Sequence, residues 1–399
     1  MGDSPDLIVS DGNGYYAWVR SAFIDGDLDF ANDLQLLYAP EPTPQDMLNN
    51  LTPKGLIANK YPIGLAIIEI PGFWFGHVLA KLTPYPADGV SFPYQLSVTL
   101  SLIILVLFSQ YLFFLTLQKN GVNHWINILV SSLSLVATNL IHYAAKEPAM
   151  AHATGVALIN LLIFYAYGSN WGSRFGWGYR LLIGMTTGLL VILCLSNVVL
   201  FPFIVWIFRD ELKSAWKVVA TGMGFSLMLG LHFLSLYLLW GKFIINPYQG
   251  ESFKNGTAGL WEILLGNGYG VFLYHPWYLA LVVTNIVGWF LLRETRGLLT
   301  SILFSTVSLW LINGLWGFTG DSFGSRPFIE LLPLLSLGAA TTLEQCASLR
   351  SQALQIFLLG QAIFLAGLNF YIWGGYLLQR YSHSGERTLA QVYFWILPN

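Results

Sequence analysis

The sequence predicts an all-α fold: a polytopic transmembrane bundle of about nine or ten spans. Three observations predict it. Of 399 residues, 55% are apolar and only 10% charged, against roughly a quarter charged in an ordinary soluble domain. Apolar stretches long enough for a hydrocarbon core of about 30 Å recur along the chain. The 15 Trp and 20 Tyr residues suit aromatic belts at the two membrane surfaces. This composition excludes a soluble enzyme. A net charge of −2 leaves no basic face for nucleic acid, and two cysteines supply neither a disulfide framework nor a thiolate metal site.

Residues 1–61 are rich in acids and turn formers, contain no spanning run, and read as an aqueous, extracytoplasmic loop segment. Within it, Gly and Asn residues 12–14 precede a short amphipathic helix at about 15–24. Residues 62–92 form an interfacial or re-entrant helix with its connection, because Pro62, Glu69, Pro71 and His77 interrupt the apolar run at 62–80. The transmembrane bundle occupies 93–376, with apolar segments at 93–117, 124–143, 149–167, 181–208, 218–240, 276–292, 298–316, 328–343 and 353–376. The 181–208 stretch exceeds one crossing and is interrupted near Ser196, Asn197 and Pro202, so two short helices are expected there. Outer loops fall at 241–275 and 317–327, and 377–399 is an extracytoplasmic C-terminal tail.

Loop charge gives the orientation. With the N-terminal segment outside and 181–208 crossing twice, Lys119, Arg174, Arg180, Arg209, Lys213, Lys217, Arg293, Arg296 and Arg350 face the cytoplasm against only Asp210, Glu211, Glu294 and Glu344. A basic leader followed by an apolar core is not visible at the start. A first span preceding Met1 is therefore expected, to carry residue 1 outward.

The outer polar residues fall into four groups. In Asp11-Gly12-Asn13-Gly14-Tyr15-Tyr16 a carboxylate precedes two tyrosines, placed to take a proton from an acceptor hydroxyl, with glycines that allow close backbone approach to a substrate. Arg20 and the run Asp25, Asp27, Asp29 follow. Their spacing starts like a calcium loop, but position twelve is Leu36, which excludes an EF-hand. The run reads either as a solvated loop or as a weak divalent-metal site. Asn59-Lys60-Tyr61-Pro62 brings a lysine to the surface helix, as an interfacial anchor or as a cation for a lipid-linked phosphate. His152 ends a span, and is a structural or a catalytic histidine. Gly320-Asp321-Ser322-Phe323-Gly324-Ser325-Arg326 joins glycine-rich backbone to an arginine, which can wrap and charge-pair a phosphate. Glu251 and His275, in the loop at 241–275, could cover such a site.

Taken in order, these groups resemble the GT-C superfamily of multispanning glycosyltransferases, in particular bacterial protein O-mannosyltransferases and aminoarabinose transferases of lipid A. The resembling segments are Asp11 before Tyr15-Tyr16, Asp25 to Phe30, Asn59 to Gly64, Met150-Ala151-His152-Ala153, and Gly320 to Arg326 with Pro333. Together they cover nearly the whole chain, each being short and weak by itself. The resemblance implies a first outer loop bearing the catalytic base, Asp11, and contacts from Lys60 and Arg326 to the phosphate of a polyprenyl-phosphate sugar donor. It also implies transfer on the outer face of a bacterial inner membrane, to a lipid, glycan or protein hydroxyl. The chain departs from the family in lacking its first helix and the second acid that some members carry directly after the catalytic Asp.

The chemistry requires no soluble nucleotide. A lipid-phosphate leaving group carries its charge to fixed cations, attack from the opposite face inverts the anomeric centre, and no metal is obligatory. The competing classes are a transporter or lipid-linked sugar flippase, and a polysaccharide polymerase or ligase. A transporter calls for ionisable residues at mid-membrane, whereas the span interiors here offer chiefly Asn139, Asn160, His232 and Asn313.

Overall fold

The computed structural model describes residues 7–39, 42–43, 45–243, 253, 257–316, 322–345, 352–380 and 388–394. The protein is an all-α, multi-pass membrane protein. Among the described residues the extended structure amounts to a single bridge between Leu51 and Ile57. Seven helices are long and apolar enough to cross a bilayer, and three shorter apolar ones accompany them.

The N-terminal segment folds as α1, Asp11–Arg20, running through one π-helical turn, Ser21–Asp25, and then α2, Phe30–Tyr38. The helix thus starts at Asp11 itself, four residues earlier than periodicity indicates. Helices α3, Gly64–Leu82, and α4, Phe92–Lys119, follow, then α5, His124–Val136, α6, Leu140–Ala145, and α7, Ala151–Ile163. Next come α8, Trp171–Leu193, α9, Phe201–Ile207, α10, Ala215–Trp240, and α11, Ala258–Leu265. The last four are α12, Pro276–Leu291, α13, Arg296–Trp316, α14, Leu332–Glu344, and α15, Gln352–Leu377.

The long stretch at 181–208 is two helices, as expected, with a 3₁₀ segment, Leu195–Leu200, holding Ser196 and Asn197 after the break. The break lies at Cys194, whose backbone is extended (φ −148°, ψ 119°). Pro202 does not break anything, because it sits in the first turn of α9, where no helical N–H is lost. Asn197 closes the joint by donating to the Leu190 carbonyl at 3.1 Å.

Close contacts fix the helix directions. Asn160 of α7 reaches Ser109 and Gln110 of α4 at 3.4 and 3.2 Å, and a Cβ on Gly168 would meet Thr116, so α4 and α7 run parallel. Helices α8 and α10 are also parallel and pack glycine to backbone in both directions. A Cβ on Gly184 would lie 1.9 Å from the Thr221 carbonyl oxygen, and one on Gly224 2.1 Å from that of Leu181. Small residues at such crossings let membrane helices approach closely where no hydrophobic drive separates protein from lipid. Helix α3, itself one of the seven of spanning length, makes its glycine contacts at one end of this bundle. Gly64 abuts the backbone of Ile192 and Leu193 at the end of α8, while Gly72 and Gly76 lie on Ser97 to Ser101 and on Pro93 to Tyr94 in the first turns of α4.

The C-terminal tail returns to that end, where Val392 is buried with Tyr274, Phe323, Ile372 and Tyr376.

Candidate active site

Asp11 stands at the first position of α1, where the helix N-terminus favours a negative charge. Ser10, directly before it, holds a positive φ of 57°, a conformation that costs a non-glycine residue of order 1–3 kcal/mol. Both carboxylate oxygens are engaged. The Tyr61 hydroxyl donates to Oδ1 at 2.8 Å, and the Arg326 guanidinium pairs with Oδ2 at 2.7 Å. Residues from three distant parts of the chain therefore converge on one carboxylate, which stays partly open to solvent.

Tyr61 organises this group. Its backbone N–H donates to Asn59 at 3.0 Å, its carbonyl accepts from Trp18 at 2.8 Å, and Asn59 in turn donates to the Gly14 carbonyl at 2.8 Å. The ring lies against Tyr15 with centroids 4.9 Å apart, and the Lys60 ammonium stands 5.7 Å from its centre. Gly14 has a different purpose from the one read in the sequence. A Cβ there would fall 2.1 Å from the Tyr61 ring, so the glycine makes room for Tyr61 and not for a substrate. Tyr16 points away from Asp11 into the core, donating to the Gly89 carbonyl at 2.6 Å.

The arginine is held from the other side. Arg326 opens a 3₁₀ segment, Arg326–Leu331, after a turn in which Gly324 has φ +69°. Ser325 Oγ reaches the carbonyls of Tyr269 and Ile263 at 2.7 and 3.0 Å, tying this turn to the segment after α11. The Phe323 N–H donates to Tyr143 Oη at 3.2 Å. Burial opposes the charge on Arg326, but Asp11, with Tyr143, Tyr15 and Tyr61, outweighs it, and the guanidinium pKa is raised. Burial first, and the Asp11 charge second, raise that of the Tyr61 phenol. It stays a hydrogen-bond donor.

His152, at the start of α7, bonds through Nδ1 to Glu330 Oε1 at 2.8 Å, and Glu330 lies four residues beyond Arg326 in the same 3₁₀ segment. A Cβ on Gly12, next to Asp11, would meet Ala149, three residues before His152.

Three other candidates serve the fold. Arg20 is buried and pairs with Asp25 at 2.6 Å and Asp33 at 2.5 Å, besides donating to the Asp88 carbonyl at 3.0 Å. It staples α1 to α2 and takes no part in the group around Asp11. Burial pushes Asp33 up to about 6 even with Arg20 beside it. Asp27 accepts from Ser21 and from the Asp29 N–H, both at 3.1 Å, and Asp29 caps α2. The three acids of the run are thus spent on separate local contacts. Among the described residues no three metal-ligating side chains converge. His275 is fully buried, with its Nδ1 on Asn369 Oδ1 at 2.9 Å. Since the Asn369 amide donates to the Val136 and Thr138 carbonyls, its oxygen accepts and His275 Nδ1 carries the proton. Burial lowers the His275 pKa to about 3, and the neutral ring supports the Gly324 turn from beneath. Glu251 and Asp321 lie outside the described residues.

Tyr61, Tyr143 and Glu330 were not marked as site residues by the sequence. The signal for Tyr61 was its place beside Lys60; nothing local distinguishes Tyr143 or Glu330.

Neither a protein-family model nor a curated protein matches the chain. Among solved structures it is similar in fold to the apo form of ArnT from Cupriavidus metallidurans, at 12% identity and a TM-score of 0.50. That alignment covers 97% of this chain and 70% of ArnT. A second structure of the same protein, bound to undecaprenyl phosphate, aligns at 12% identity over 98% and 71% with a TM-score of 0.49. The likeness is one of fold.

Proposed function

We propose that this protein is a glycosyltransferase that moves a sugar from a polyprenyl-phosphate donor to an acceptor hydroxyl on the extracytoplasmic face of a bacterial inner membrane. One observation carries the reading. A carboxylate at a helix N-terminus, an arginine and a lysine are gathered around one tyrosine, at one end of an apolar bundle of GT-C type.

In this reading Asp11 accepts the proton of the acceptor hydroxyl as its oxygen attacks the anomeric carbon. The bond from that carbon to the phosphate oxygen breaks, and Arg326 and Lys60 stabilise the charge on the departing lipid phosphate. The donor phosphate competes with Asp11 for the guanidinium, so its arrival frees Oδ2. Attack opposite the leaving group inverts the centre. Helix α3, whose glycine contacts fall at one end of the bundle, lies in the outer interface, where an isoprenoid tail stays in lipid while its head group meets the aqueous acceptor.

The test is transfer of labelled sugar from undecaprenyl-phosphate-linked donors by the full chain in membranes, with bare undecaprenyl phosphate as competitor. Transfer that bare lipid phosphate inhibits is the expected result; absence of transfer and of competition overturns the reading. Orientation is tested by cysteine labelling of sealed cells, with Cys194 and Cys346 replaced. Ala87→Cys is expected to react from outside and Lys213→Cys only after permeabilisation.

A further inference from the structure

We propose that His152, held by Glu330, binds a hydroxyl of the transferred sugar and so helps to select it. The proposal rests on the glycosyl-transfer reading above and names a contact that reading does not use.

The pair is built into the fold. Glu330 is 1% exposed and Gly155 is what admits it, since a Cβ there would come within 2.7 Å of Glu330 Cγ. His152 and Gly155 lie three apart on α7, on the same helix face. Glu330 Oε1 takes His152 Nδ1 at 2.8 Å, while Oε2 is buried with no partner among the described residues. A buried acid with one partner fixes the imidazole by the nitrogen it holds. The other nitrogen, Nε2, faces away from Glu330, on a side chain that keeps 14% of its surface, and it has no partner among the described residues.

Charge decides what this nitrogen takes. With an acid directly behind it, the imidazole belongs to a pair that is at best neutral, which does not attract a phosphate as Arg326 and Lys60 do. A neutral hydroxyl suits it in either state, donating to the lone pair of the neutral ring or accepting from the imidazolium. Position decides which hydroxyl. Glu330 follows Arg326 by four residues in one 3₁₀ segment, and the His152 ring stands 6.5 Å from that of Tyr143, the residue that anchors the turn before Arg326. A phosphate on Arg326 carries the polyprenyl chain on one oxygen and the sugar on another, and of these two groups only the sugar has hydroxyls to offer His152.

The experiment titrates detergent-solubilised full chain with undecaprenyl phosphate, bare and carrying a hexose or a pentose, in wild type, His152→Leu and His152→Gln. His152→Leu is expected to weaken binding of the preferred sugar-linked lipid about ten- to a hundredfold, the usual consequence of one unmade hydrogen bond. It leaves the affinity for bare undecaprenyl phosphate unchanged, which also reports an intact fold. His152→Gln, which can still bond a hydroxyl, restores much of the loss. Equal weakening of the bare lipid overturns the proposal by making His152 a phosphate or folding residue. No weakening of either ligand also overturns it, and is the result that contact with an acceptor hydroxyl would give. A wild type that binds bare and sugar-linked lipid alike removes the sugar contact but leaves the donor reading standing, whereas a wild type that binds neither removes both.

Discussion

Two groups of carboxylates share the N-terminal segment and are used in opposite ways. The run Asp25, Asp27, Asp29 and Asp33 finds its partners close by: Arg20, Ser21 and Asn32, and the backbone of the run itself. Asp11 finds its partners in Tyr61 and Arg326, far along the chain, and stays partly open to solvent. Charge density and long-range contact therefore point to different places. The richer acidic stretch closes a loop, while the isolated acid is joined by long-range contacts and is the one we propose as the base. A carboxylate satisfied by its neighbours holds local shape; one whose partners, here a tyrosine and an arginine, come from far along the chain holds distant segments together.

The contrast can be broken experimentally, and the largest effect is expected at Asp11. Asp11→Asn keeps the shape and removes the charge, so turnover in the sugar-transfer assay is expected to fall by roughly 10² to 10⁴, the range for a lost general base. Wild-type turnover in Asp11→Asn alongside a dead Asp27→Asn would reverse the roles of the two groups.

Arg20→Ala probes the other region. It strands Asp33, which is completely buried, and breaking such a pair typically costs about 3–5 kcal/mol. The expected outcome is a lower melting temperature and faster proteolysis across residues 21–38. The affinity for bare undecaprenyl phosphate should not change. Loss of that affinity without loss of stability would place Arg20 in the site after all.

Arg326→Ala and Lys60→Ala sharpen the comparison at the cations. Each removes a charge-assisted contact worth about 1.5–3 kcal/mol. Donor titrations should show a loss of ten- to a hundredfold, larger for Arg326, which is nearly buried. Donor affinities at the wild-type level in both variants would take the pair out of phosphate binding.

The smallest effect is expected from Asp27→Asn and from chelation, neither of which should change turnover. Abolition by EDTA, rescued by magnesium or manganese and lost again in Asp27→Asn, would convert the loop into a metal site.

Much of the fold was legible because the bilayer imposes a length and a composition on each crossing. The segments at 93–117, 218–240 and 298–316 each fall within one helix for this reason. The break was legible at Ser196 and Asn197, whereas Pro202 takes no part in it, because a proline marks a helix start as readily as a helix end. At the site, Asp11, Lys60 and Arg326 stood out as charges in a chain with few of them. Tyr61 did not, since a tyrosine near a membrane surface is expected anyway. Glu330 and the anchoring roles of Arg20 and His275 could not be read locally. Whether a charge is buried, and by what, is decided by segments that come together only in the folded chain.

The bond between Asp11 and Arg326 also orders the biogenesis of the protein. It joins α1 to a turn far along the chain, so Asp11 emerges from the ribosome long before Arg326 does. Until the 3₁₀ segment at Arg326–Leu331 has been made and delivered to the same side, Asp11 lacks the guanidinium that pairs with Oδ2. The group around Asp11 is thus completed late. A chain stalled before that point would carry Asp11 without the arginine that holds its second oxygen.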